Sequence, residues 1–440
     1  MSSTTANNFR LPLEANLVIQ NANFNHLYWD VAWFGLIFGS TLSFLAVFAA
    51  RLGAEGWQIG LLTAGPALVN LFVTLPAGRW LEGHALGPAV THAAIWHRLG
   101  YFILIPLPLL LPESVQVWAI LGLTLLMAIP GTGLAIGFNA LLATAVPADK
   151  RGKVVGRRNA ILAGTTILSF VSSGWLLDWL SFEWGYAIVF LLGALGGAMS
   201  TYHLYRVRVS APAQFRMHAL KDRAQPGRMD GFSGTIPQRV TMGLRLWLRW
   251  RPAGITHSLQ QVSVQYRQTM GAFFLFHFSQ LLPAALFPIF WVHEAGLTDG
   301  QIGWMMAIFY LTMLLASPSL GVLTGRFGNY RLTVAGALLL ALYPGLTAIS
   351  IDFKLLIVTS IIGGVVWGLL SGSLSNRLLE IIPADQRPIH LALYNIALNL
   401  ATLVGTMLGA YLGDWVGLRE ALLIVAAMRL ISGVALARWG

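Results

Sequence analysis

The sequence predicts an all-α integral membrane protein with twelve transmembrane helices in two pseudo-symmetric six-helix bundles. Three observations carry this. Hydrophobic residues make up 56% of the 440 and charged residues only 10%, against about a quarter charged in soluble domains, and so little charge cannot cover a water-exposed surface. Apolar windows of about 20 residues, the length a helix needs to cross roughly 30 Å of hydrocarbon, recur along the whole chain. Two short motifs also occur twice: PADKRGK from Pro147 returns as PADQRPI 236 residues later, and GAEGWQIG from Gly53 returns as GLTDGQIG 243 residues later. Duplication at about half the chain length makes two homologous halves.

Taken in order, the windows of the first half fall at 27–50, 59–81, 89–111, 116–144, 157–178 and 186–205. Those of the second half fall at 269–293, 301–324, 332–350, 354–380, 391–414 and 420–437. The alternation of an outer-membrane barrel strand is absent from them. The first window follows about 26 mostly polar residues with no small-residue cleavage site, so it reads as a retained helix rather than a signal peptide. Prolines inside the windows (Pro66, Pro106, Pro283, Pro288, Pro318) and the 46 glycines suit kinked, closely packed membrane helices.

The formal net charge of +11 is a matter of topology. Of the 28 Lys and Arg, 23 fall in segments on one side of the membrane and three (Arg51, Lys354, Arg419) on the other, while Arg98 and Arg429 lie inside windows 3 and 12. The side rich in Lys and Arg is the cytoplasmic one, so both termini are expected in the cytoplasm and the protein in the cytoplasmic membrane. Charges beside membrane helices give no reason to expect nucleic acid. The chain has no cysteine, which excludes disulfides, thiol catalysis and thiolate metal sites.

Residues 206–268 separate an N-terminal bundle, 1–205, from a C-terminal bundle, 269–440. This linker carries eleven Lys and Arg against Asp222 and Asp230. Within it Val240, Leu244, Trp247 and Leu248 share one helical face opposite Arg245 and Arg249, the pattern of a helix lying among anionic lipid headgroups or packed on the bundle.

Six helices, a long linker and six more helices resemble the Major Facilitator Superfamily. Its signature loop, G-x-L-x-D-R-x-G-x-R, belongs between helices 2 and 3 and between helices 8 and 9. GVLTGRFGNYR supplies Gly321, Leu323, Arg326, Gly328 and Arg331 but has Gly325 at the acidic position. GRWLEGHALGP supplies Gly78 and Glu82 but lacks the basic residues. The repeated PADKR and PADQR place Arg151 before helix 5 and Arg387 before helix 11. The resemblance implies that Glu82 meets Arg387 and locks the cytoplasmic side in an outward-open state. A surface ion pair of about 0–1 kcal/mol could break and reform; otherwise these charges anchor loops at the headgroups. Drug–proton antiporters of the superfamily carry an Arg in helix 4 and G-x-x-x-G-P in helix 5. Here window 4 is uncharged and no Pro stands between Gly164 and Gly174, which argues against a multidrug antiporter.

Ionisable groups within hydrocarbon each need an explanation. Asp30, near the start of window 1, is a candidate proton carrier or a boundary residue hydrated at the interface. His277 and Gln280 share a face of window 7 and are candidates to line a cavity; His277 is also able to titrate near neutral pH or to pack as a satisfied core residue. In window 10, Trp367 and Ser371 are cavity candidates, Glu380 a proton-coupling candidate, and Arg377 with Glu380 a local ion pair or part of a gate. Asn139 in window 4 matches Ser375 in the repeat and is a further cavity candidate. Arg98 has Ala341 as its counterpart and is expected to pair with Glu82 or Asp30, or to snorkel.

Together these features, with the resemblance, imply a monomeric secondary transporter working by alternating access on a small solute, with protons as a candidate coupling ion and lipids as its surroundings. A transporter-like membrane sensor or scaffold is the alternative. The sequence has no Walker A, HExxH or GxSxG run, and no enzyme, cofactor or metal site is expected.

Overall fold

The computed structural model describes residues 13–209, 264–382 and 387–440, nearly all helical. The amphipathic segment 240–249 and the loop 383–386 lie outside the described residues, as does the side chain of Arg387.

Helix α1 runs Leu13–Ile37 and continues through a π-helical turn, Phe38–Leu42, into Ser43–Arg51. It is followed by α2 (Gly56–Glu82), α3 (Leu86–Leu104, with a short turn Leu107–Leu110), α4 (Glu113–Ala145), α5 (Ala148–Trp179) and α6 (Phe182–Arg206). In the second half α7 spans Val264–Leu281 and reaches Glu294 through 3-10, helical and π segments. Helix α8 starts with Asp299–Ala316 and, after a 3-10 turn at Ser317–Ser319, runs into Leu320–Leu339. Gly328, inside that segment, has φ 78° and ψ 157°, a conformation essentially restricted to glycine. The chain turns there, ending α8 and starting α9, which continues to Leu342–Ala348. Then come α10 (Phe353–Ile381), α11 (Arg387–Val416) and α12 (Leu418–Trp439).

Among the described residues ten stretches are long and apolar enough to cross a membrane. One of them, Asp299–Ala348, is 50 residues long and makes two crossings divided at Gly328. With α11 the count reaches the twelve expected.

The packing repeats as the sequence does. In the first half α1 packs on α5 and α6, α3 on α4 and α6, and α2 on α4; in the second α7 packs on α11 and α12, α9 on α10 and α12, and α8 on α10. Among the described residues two long seams join the halves, α5 against α8 and α2 against α11, with a smaller contact between the far ends of α1 and α7. Offsets of 236 and 243 residues exchange one seam for the other.

Candidate gates and substrate cleft

Helices α2 and α8 begin with the two copies of one motif, and both copies form capping boxes: Glu55 with Gln58, and Thr298 with Gln301. These helix starts lie at the end of the molecule opposite the chain termini, where the halves are bonded to each other. Arg51, ending α1, places Nη2 3.2 Å and Nε 3.3 Å from Asp299 Oδ1 and donates to Leu297 O at 2.5 Å. Asp178, ending α5, accepts from Gly300 N and from Thr298 Oγ1, both at 2.8 Å. A carboxylate at the first turn of α8 satisfies an amide with no intrahelical partner and complements the helix dipole. The α5–α8 seam depends on glycine: a Cβ on Gly303 would stand 2.5 Å from Phe170 O. In the other seam Asp414, the counterpart of Asp178, sits beside Gly56, where a Cβ would be 3.3 Å from either carboxylate oxygen.

All hydrogen bonds and ion pairs between the halves among the described residues lie at this end. Arg51 was expected only as an outward-side charge, and Asp178 and Asp299 were not singled out. The signal was present in the repeat, where Asp299 stands at the position of Gly56 and Asp178 at that of Asp414.

The hydrated-boundary reading of Asp30 is corrected by the structure. Its side chain is buried, 3.0 Å from Arg158 Nη2, and its other oxygen accepts from Ser200 Oγ at 2.5 Å. Arg158, counted with the cytoplasmic charges from sequence, is buried with it and lies over the Phe138 ring of α4, 4.6 Å from the centroid. Burying a charge is costly unless it is paired and hydrogen-bonded, and these two satisfy each other. Arg98 also departs from expectation: it neither snorkels nor pairs directly with a carboxylate. It is buried, donates to Thr201 Oγ1 at 2.8 Å, and lies within electrostatic reach of Asp30.

In the second half the repeat counterpart of Arg158 is Tyr394, whose hydroxyl lies 2.8 Å from His277 Nε2. A hydrogen bond to histidine is thus made by the residue that stands where the first half has the ion-paired Arg158, and His277 is buried. Gln280, Trp367, Ser371 and Asn139 are each half-buried; Trp367 packs against the apolar cluster that holds Phe273, Phe276 and Leu370. Arg429 in α12 has a structural role. It donates to Leu340 O at 3.0 Å and Gln280 O at 3.3 Å. Pro344 has no N–H for Leu340 O, and the 3-10 break after α7 leaves Gln280 O available.

At the end carrying the termini, Glu380 is exposed and accepts from Asn329 Nδ2 at 2.6 Å; Arg377 lies 3.5 Å from it and donates to Gly440 O at 2.9 Å. Arg377 also sits over the Tyr330 ring, 5.1 Å away. This group ties the α8–α9 turn to α10 within one half, so Glu380 lies outside the buried interior. Arg151 caps α4, donating to Val146 O at 3.1 Å and Ala143 O at 2.6 Å. Arg326, Arg331 and Gly321 are exposed and Gly78 is buried. Glu82 Oε1 is buried without a hydrogen-bond partner among the described residues.

Two repeated bundles, joined at one membrane face and holding buried charges between their helices, define a secondary transporter. The chain belongs to the Major Facilitator Superfamily, whose family model matches residues 31–255 and 269–440. A quinolone resistance protein, NorA of Staphylococcus aureus, is 23% identical over 109 residues, 25% of this chain; the match spans 28% of that relative's length. The fold is similar to that of the nucleoside transporter NupG (TM-score 0.67, 13% identity, 95% of this chain and 99% of that one). A bacterial homologue of the iron transporter ferroportin in an inward-facing state gives 0.66 at 13% identity, covering 98% and 99%. The xylose transporter XylE of E. coli, partially occluded and inward open, gives 0.63 at 15%, covering 94% and 97%.

Proposed function

We propose that this protein carries a small solute across the cytoplasmic membrane by alternating access, the bundles 1–205 and 269–440 rocking about the α2–α11 and α5–α8 seams. The observation that carries the reading is that, among the described residues, the inter-half polar bonds lie at the end opposite the termini. With both termini in the cytoplasm, as the Lys and Arg distribution requires, the conformation is closed outside and open inside. Two of the similar structures are described as inward-facing or inward open, which supports it. Glu82, whose Oε1 has no hydrogen-bond partner among the described residues, is the proposed carboxylate of an inner latch to Arg387.

Asp30 is the proposed coupling group. A proton on its carboxylate cancels the charge that holds Arg158 and leaves that guanidinium free to bind an incoming polar group; losing the proton restores the pair. Asn139, His277, Gln280, Trp367 and Ser371 are the proposed cavity lining. The test is flux in proteoliposomes under an imposed pH gradient over a solute panel, with quinolones included because of the partial likeness to a quinolone resistance protein. The expected result is gradient-driven accumulation that Asp30→Asn abolishes while solute exchange persists. A folded protein that moves no solute would support the sensor or scaffold alternative instead.

A further inference from the structure

Between the N-terminal half of α1 and the first turns of α5 lies a cavity of about 540 Å³ lined by Asn21, Phe24, Asn25, Tyr28, Lys150, Lys153, Val154 and Arg157. Three cations line it and no carboxylate does. Arg157 lies over the Tyr28 ring at 4.8 Å and Lys150 over Phe24 at 6.0 Å, with Gln20 Oε1 3.5 Å from Lys150 Nζ. Among the described residues none of the three makes an ion pair. The neighbouring Arg151 and Arg158 are committed elsewhere, to the α4 carbonyls and to Asp30.

Charge bias across the membrane does not explain this cluster. The counterparts of Lys150, Lys153 and Arg157 in the second half, 236 residues on, are Gln386, Ile389 and Leu393. The same helix start reaches the same membrane face there with no cation at these positions. In the first half they recur at spacings of three and four, on one face of α5, opposite two amides and two rings. Lys and Arg offer several N–H donors in a concave setting, and the rings offer a flat apolar wall.

We infer that this cavity is a binding site for a phosphate-bearing anion, its phosphate among Lys150, Lys153 and Arg157 and its remainder against Phe24 and Tyr28. The phosphate belongs either to a soluble ester or to a lipid headgroup at the membrane surface. The site needs only binding, so it stands or falls independently of solute transport.

The test uses the purified full chain in neutral detergent, with thermal unfolding followed against inorganic phosphate at constant ionic strength and, separately, against phosphatidic acid in mixed micelles with a phosphatidylcholine control. Variants are Lys153→Gln, an exposed residue whose loss leaves the fold intact, and the triple Lys150→Gln/Lys153→Gln/Arg157→Gln. The expected result is saturable stabilisation of the wild type, with Kd raised about tenfold in Lys153→Gln and further in the triple. Stabilisation by inorganic phosphate identifies a soluble source, and stabilisation by phosphatidic acid alone a lipid one. A wild type unmoved by both probes, or a Kd unchanged in Lys153→Gln, overturns the inference whether or not the triple variant folds.

Discussion

Arg51 and Asp299, 248 positions apart in sequence, form the one ion pair among the described residues that joins the two halves, at 3.2 Å. Arg51 ends the first helix and Asp299 begins the eighth, so the bond closes the end of the molecule opposite the termini. Both side chains are mostly buried, with 24% and 11% exposure, and Arg51 also donates to Leu297 O. The pair is therefore worth more than a surface contact, about 1–2 kcal/mol as a charge-assisted hydrogen bond. Arg51→Ala should raise the population opened at this end by about 5- to 30-fold. A single cysteine replacing the buried Thr406 on the α2–α11 seam should then label correspondingly faster with a maleimide.

Gly303 makes a separate prediction at the same gate. A methyl group there meets a backbone oxygen, Phe170 O, at 2.5 Å, and backbone cannot swing aside. Gly303→Ala should wedge α5 from α8 and open the same end, speeding labelling at Thr406→Cys as Arg51→Ala does. Because the two changes act on one seam, the double variant should fall short of their sum.

The buried pair Asp30–Arg158 should be costly to break and cheaper to delete. Asp30→Asn leaves Arg158 and Arg98 buried without their carboxylate, a loss of about 3–5 kcal/mol by analogy with other buried pairs. Adding Arg158→Gln should recover part of it. Thermal unfolding in detergent checks both, and a double variant no more stable than Asp30→Asn would contradict the pairing.

Arg429→Leu should destabilise through lost hydrogen bonds rather than lost charge pairing. It takes the Arg429 donor from Gln280 O and leaves Leu340 O with only Tyr343 N, 3.3 Å away, at about 1–3 kcal/mol for a buried acceptor left unsatisfied. Gly328→Ala should cost about 1–3 kcal/mol through backbone strain at φ 78°. Unfolding midpoints report both.

The fold was legible because membrane helices announce themselves by length and apolarity, and because duplication fixed the two-half plan. The offsets of 243 and 236 even carry the seam symmetry, Gly56 with Asp299 and Asp414 with Asp178. The partners of buried charges were not legible. Arg158 lies 128 residues from Asp30, in a stretch whose many basic residues resemble any loop-flanking cluster, and only packing shows that it turns inward. Arg98 looked in need of a carboxylate, but the hydroxyl of Thr201 and the nearby Asp30 charge serve it. Arg429 was placed inside window 12 with no partner named; it donates to two carbonyls near helix breaks, Leu340 O and Gln280 O, one of them predictable from Pro344.

Rocking of the two halves, held together at one end and parting at the other, is the proposed motion. The cysteine-free chain allows it to be measured with two spin labels, on Gly152→Cys at the start of α5 and Gly325→Cys at the end of α8. Both glycines have open space where a side chain would stand. The distance between the labels should be long in the wild type and acquire a distinctly shorter population in Arg51→Ala, as the ends carrying the termini approach when the opposite ends part. A distance distribution unchanged by Arg51→Ala, in protein that shows the faster Thr406→Cys labelling, would contradict the rocking account.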